Sequence, residues 1–142
     1  VASRPGPLVL SLLDGLWAVC RLHSESALPA WAEGGSFFSA TRTPEELSVV
    51  CEEAAVPDGV KAEKGWAALK LHGPVPFEAS GILSSLTAPL AEAGIPVFAL
   101  STFATDYLFV KTDRFPEAAA AWRRAGVEVR GKADPNTSPR ST

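Results

Sequence analysis

Two stretches of this chain repeat one another imperfectly, and that repetition limits the folds open to it. Trp17-Ala18-Val19-Cys20-Arg21-Leu22 matches Trp66-Ala67-Ala68-Leu69-Lys70-Leu71 at an offset of 49 residues, with Trp, Ala, a basic residue and Leu recurring in step. Residues 41–50 (TRTPEELSVV) lie against residues 101–110 (STFATDYLFV) at an offset of 60, which sets Thr41 against Ser101, Glu46 against Asp106 and Leu47 against Tyr107. The offset grows because the second copy has room for a full helix where the first has residues 26–33 (SALPAWAE). Similarity at matching positions points to a duplicated strand–helix unit. A unit of about 60 residues is marginal alone. The copies are therefore expected to pack together and form a cleft, a favoured place for a small ligand.

A pass along the chain fills in the units. Residues 8–13 and 16–22 are apolar runs separated by Asp14–Gly15, which reads as a hairpin because Gly tolerates the positive φ of a tight turn. One or two helical turns are expected over 26–33, limited by Pro29 and ended by Gly34–Gly35. Residues 37–42 and 47–51 follow as strands, with Thr43–Pro44 in the turn between them. A domain boundary is expected near Ala62. The second half starts with a strand at 66–71. A helix over 80–93 then places Ile82, Leu83, Leu86, Leu90 and Ala91 on one face. Ser80 serves as its N-cap, Gly94 as its stop, and Pro89 should kink or divide it. Strands at 95–101 and 106–111 lead to a second helix opened by Asp113 and Pro116, using Phe115, Ala118, Ala119 and Trp122, and a short strand at 127–130 ends the pattern.

The fold class expected is thus α+β. The second half, 63–130, reads β–α–β–β–α–β, with both helices on one face of an antiparallel sheet. The first half, 1–62, is an abbreviated version of the same ferredoxin-like unit. Residues 131–142 are polar and carry two prolines, so that tail is expected to be disordered.

Charge and motifs remove several function classes. With 13 basic and 16 acidic residues the formal net charge is −3, which builds no positive field for nucleic acid. No apolar run approaches the roughly 18 residues of a membrane-spanning helix. Cys20 and Cys51 sit in apolar strands as small buried hydrophobes, and a cytoplasmic setting is expected. There is no GxSxG, HExxH or CxxC, and no glycine loop to cradle phosphate, so no enzyme, cofactor or metal is implied. His23 and His72 each sit just past a repeated strand, with no second His or Cys at ligand spacing. Trp17, Trp31, Trp66 and Trp122 are assigned to packing, Trp31 with partial exposure.

One loop has the composition of a site. In 101–106 (STFATD), hydroxyls, backbone amides and one carboxylate suit a zwitterion. Asp106 can take an ammonium group. The amides of Gly81, Ile82 and Leu83 at a helix start can take a carboxylate. The competing reading is a hairpin turn held by its own Asp and Thr side chains.

The combination of 65–74 (GWAALKLHGP), 81–86 (GILSSL), 89–95 (PLAEAGI) and 101–107 (STFATDY), with 41–48 (TRTPEELS) before them, resembles the ACT-domain proteins. More narrowly it resembles the small bacterial tandem-ACT group related to the vertebrate cytosolic arginine sensor, over residues 8 to about 130. That resemblance implies a ferredoxin-like regulatory module which binds an amino acid at an interface between ACT units. The amino-group contact would fall on Asp106. Ser101, Thr102, Phe103 and Thr105 would line the same pocket, with Gly81, Ile82 and Leu83 nearby. The arginine sensor has four such units and this chain at most two, so a comparable arrangement implies a homodimer. Nothing supplies an acidic pocket for a guanidinium, so arginine itself is not implied. The alternatives are an interaction module with no ligand and a small transferase-type enzyme. The regulated protein partner is unknown at this level.

Overall fold

The computed structural model describes residues 7–72 and 81–131. The strands are β1 (Val9–Leu12), β2 (Trp17–Leu22), β3 (Ser39–Arg42), β4 (Leu47–Glu52), β5 (Lys61–Leu71), β6 (Phe98–Ser101), β7 (Asp106–Lys111) and β8 (Glu128–Arg130). The helices are α1 (Ile82–Glu92) and α2 (Phe115–Arg124). The chain divides into two compact units. The smaller is Asp14–Trp66, and the larger joins residues 7–13 to 67–72 and 81–131. The boundary expected near Ala62 falls inside β5, which is five residues longer at its start than the 66–71 expected. Residues 7–13, expected in the first unit, pack in the second. The expected N-cap Ser80 and the expected disordered tail from 132 onward lie outside the described residues.

The larger unit has the β5–α1–β6–β7–α2–β8 order expected, plus β1. Leu10 of β1 pairs with Leu71 of β5 on one side and Val129 of β8 on the other. The strand order is therefore β8–β1–β5–β7–β6. Here the antiparallel expectation is corrected: β1 and β8 run parallel. The hairpin expected at Asp14–Gly15 is corrected for the same reason. Gly15 does take φ 94°, but β1 has its partners in β5 and β8, while β2 has its own in β4 and β5. Alternation then decides which side chains meet. Leu10, Leu69, Leu71, Leu108, Val110 and Val129 share one buried cluster with Leu86, Leu90, Ala118 and Trp122 of the two helices, which lie on one face of the sheet. The Trp122 indole N–H donates to the Leu86 carbonyl at 2.7 Å inside this core. Helix α1 runs through Pro89 without dividing. Proline removes one helical donor, and the burial of Leu86 and Leu90 beside it offsets that loss.

The smaller unit is an antiparallel sheet in the order β3–β4–β2–β5. Ala18, Cys20, Ala32, Leu47, Val49 and Cys51 form its core. The stretch 26–33 yields a single tight turn, Ala30–Ala32, where one or two helical turns were expected. Pro29 precedes that turn in an extended conformation, and the Arg42 guanidinium donates to the carbonyls of Ser24 and Ser26 at the entry to the loop. Trp31 is half-buried, as expected.

Cys20 and Cys51 are free and buried. Burial, with the neighbouring Cys20 thiol adding to it, pushes the Cys51 thiol up to about 12, and burial raises Cys20 as well. The folded chain thus keeps protons that the unfolded chain releases above its ordinary thiol value of 9.0. Stability should fall as pH rises from 9 towards 12, by at most about 1.4 kcal/mol per pH unit for each thiol. Urea unfolding at rising pH measures this slope, and Cys51→Ala should flatten it relative to the parent chain. Trp122→Phe, which removes the donor to Leu86, should cost about 1–3 kcal/mol in the same assay.

Candidate functional site

The loop joining β6 to β7 is built from its own side chains. Ser101 and Asp106 are a register pair across the hairpin. The Ser101 hydroxyl donates to Asp106 Oδ1 at 2.6 Å. Between them Thr102 and Thr105 close the turn: the Thr102 amide donates to the Thr105 carbonyl at 2.8 Å, and the Thr105 amide donates to Thr102 Oγ1 at 3.2 Å. The Thr105 hydroxyl is buried and donates to the Leu71 carbonyl at 2.8 Å, which ties the turn to the end of β5. Phe103 stands at the tip, 85% exposed. The Ser and Thr side chains therefore form the hairpin turn of the competing reading, and that turn leaves the Asp106 carboxylate half-buried, with one oxygen held by Ser101.

Gly81, Ile82 and Leu83 open α1. Gly81 is the N-cap, at φ 78° in the left-handed region, and its carbonyl accepts from the Ser85 amide at 2.9 Å and hydroxyl at 2.7 Å. A helix gives the amides of its first turn no carbonyl of its own. Ile82 is buried in the core and Leu83 is 40% exposed. Among the described residues, the side-chain hydrogen bonds of Ser101, Thr102 and Thr105 join loop residues and Leu71, and the Gly81 carbonyl is bonded within α1.

The repeat acquires a corrected register. In β3–β4 the residues facing across the turn are Arg42 and Leu47; in β6–β7 they are Ser101 and Asp106. Both pairs differ by 59 (101 − 42 and 106 − 47), one less than the 60 inferred from letters alone. Turn chemistry agrees with 59. The Thr43 amide donates to the Glu46 carbonyl at 2.9 Å and the Glu46 amide to Thr43 Oγ1 at 3.2 Å, as Thr102 and Thr105 do. Glu46 is thus the counterpart of Thr105, and Leu47 that of Asp106. Glu46 is ion-paired with Arg21 at 3.2 Å. Only the second hairpin carries an acid at its exit.

The two histidines lie elsewhere. His23 Nδ1 accepts from the Glu25 amide at 3.1 Å. His72 Nε2 is hydrogen-bonded to the Ser11 hydroxyl, but Glu128, the nearby acid, is bound to Arg130 at 2.6 Å, and that bond holds its carboxyl below the usual range. Among the described residues, the acid beside this Ser–His pair is therefore committed to an arginine rather than to the imidazole. Among the described residues no group of three His, Cys, Asp or Glu is placed to hold a metal ion, and no helix is long and apolar enough to cross a membrane.

Comparison with known proteins adds relatives to this geometry. An ACT-domain model matches residues 61–124, and a model described as an N-terminal domain matches residues 15–59. A crystal structure of an Agobacterium tumefaciens protein is 37% identical, covering 90% of this chain and 96% of that one at a TM-score of 0.85. The human cytosolic arginine sensor for mTORC1 subunit 1 is 33% identical over 90 residues, 53% of this chain and 26% of that protein. A further human relative is matched over 53% of its length, so this chain spans only about a quarter to a half of the curated relatives. Clostridium acetobutylicum aspartate kinase, at 13% identity and a TM-score of 0.59, shares the fold over 87% of this chain and 36% of its own. The chain contains an ACT domain over residues 61–124 and is related at moderate identity to the arginine sensors and to a bacterial structural homologue.

Proposed function

We propose that this chain senses a small molecule, a free amino acid, on the β6–β7 loop of its larger unit, and that it acts as a homodimer of tandem ACT-like units regulating a protein partner. The observation that carries this reading is the Asp106 carboxylate. Ser101 fixes one oxygen at 2.6 Å, and the loop is anchored by the buried Thr105 bond, so an ammonium group meets a positioned acid rather than a wandering one. The first-turn amides of Gly81, Ile82 and Leu83 serve the ligand's carboxylate. Ser101, Thr102, Phe103 and Thr105 shape the space between. Support for the ligand class also comes from the names of the relatives, which include arginine sensors. The matching turn chemistry of the two hairpins supports tandem units. The register correction favours the second as the ligand side, because Leu47 stands where Asp106 does.

A thermal-shift panel of the twenty amino acids should give a rise in melting temperature for one or a few of them. Ligand at about 100 times its Kd adds about 2.7 kcal/mol to stability. Asp106→Ala should abolish that rise while leaving the unliganded chain folded. A flat panel with the parent chain sinks the reading. It would favour instead a ligand-free interaction module, for which the 85% exposed Phe103 is the natural contact.

Thr105→Val is the structural contrast. It removes the hydroxyl donor to the Leu71 carbonyl and should lower stability by about 1–3 kcal/mol in urea unfolding. Any loss of ligand affinity should then be smaller than that of Asp106→Ala.

A further inference from the structure

Helix α1 carries one charge in its 11 residues, Glu92 at the last position. Its exposed positions include Leu83, Ser84, Ala88 and Ala91. A helix with one face in water ordinarily lines that face with charge, and this one does not. Beside it a furrow of about 470 Å³ runs between α1 and α2, with Ala88, Pro89 and Ala121 among its lining and Glu92 and Arg124 on its walls. Pro89 has no amide, so the Ser85 carbonyl, also in the furrow, lacks its helical donor. Among the described residues neither Glu92 nor Arg124 forms an ion pair.

We infer that this face is where a second copy of the chain docks, in a twofold pair in which Glu92 of each copy meets the partner's Arg124. A patch that meets itself about a twofold axis must be self-complementary. One acid and one base on the same patch satisfy that twice over, whereas a patch of one sign would repel its copy. Small exposed side chains at Ala88 and Ala91, over the buried Ala121, let the helices approach closely. An 11-residue helix is only about 16 Å long, so the contact sits at the small end of specific interfaces, and the pair is weak and concentration-dependent. This inference rests on the homodimer in the reading above and names its surface. It shares no residue with the β6–β7 loop.

Sedimentation velocity of the full chain across a concentration series tests it. The parent chain should shift from monomer to dimer as concentration rises. Glu92→Lys and Arg124→Glu should each weaken association about tenfold or more, and the double variant should recover it. Ala88→Arg, at an exposed position and with a good helix former, should fill the furrow and abolish association with the helical circular-dichroism signal intact. A monomer at every concentration overturns both this surface and the homodimer, and leaves ligand binding to the thermal-shift panel. A dimer indifferent to all three single variants overturns this surface alone. Failure of the double variant to recover overturns the Glu92–Arg124 pairing.

Discussion

The architecture depends on where β1 goes. Leu10 is fully buried, flanked in register by Leu71 and Val129, so the first described strand belongs between β5 and β8. The Leu13 amide donates to the Ala68 carbonyl at 2.8 Å, which brings together the two points where the chain leaves this unit and returns to it. The smaller unit is therefore an excursion of 53 residues, 14 through 66, between two neighbouring strands. An insertion of this kind leaves its host intact because its ends are close together. Gly131, just past β8, marks how tightly that strand group closes: at φ 150°, a Cβ there would lie 2.3 Å from Leu12 Cβ.

Most of the elements were legible in the sequence because their signals are local. The 2-residue alternation in 106–111 places Leu108 and Val110 in the core, and the three- and four-residue spacing of Phe115, Ala118, Ala119 and Trp122 marks the buried face of α2. What was not legible is partnership. Asp14–Gly15 predicts a tight turn, and Gly15 adopts the positive φ, yet a turn does not dictate that the strands it separates pair with each other. The parallel contact of β1 with β8 joins residues more than a hundred positions apart, and no local pattern encodes it. The extent of each compact unit depends on partnership as well. The boundary signal at 56–59 is real punctuation, but β5 begins at Lys61 and runs on past Trp66.

The candidate site shows the same division between local and non-local information. The turn at 102–105 follows from the hydroxyl of Thr102, which donates to the Thr105 carbonyl and accepts from the Thr105 amide. Its anchoring to Leu71 does not follow, because it depends on which strand lies beside it. The register error of one residue had a chemical consequence: an offset of 60 gives the first hairpin an acid, Glu46, in the place of Asp106, and the observed pairing gives it Leu47. Because side chains alternate across a strand, a shift of one residue exchanges the two faces.

The two hairpins therefore separate turn chemistry from site chemistry. Both close with a Thr whose hydroxyl accepts the amide three residues on, so that feature serves the backbone. They differ at the first residue of the following strand. Leu47 is buried in the smaller unit's core at 1% exposure, whereas Asp106 is half-buried with its carboxylate on Ser101. On a shared scaffold this position can change role readily, because neither the turn nor the ladder depends on that side chain. The helical layer above the larger sheet is likewise free to change on its outer face. Its inner face is committed to Leu86, Leu90 and Trp122, and on the outer face Glu92 and Arg124 are left without an ion-pair partner among the described residues. One unit thus offers two separable surfaces: a positioned acid on its hairpin loop, and a nearly uncharged helix face with one charge of each sign beside its furrow.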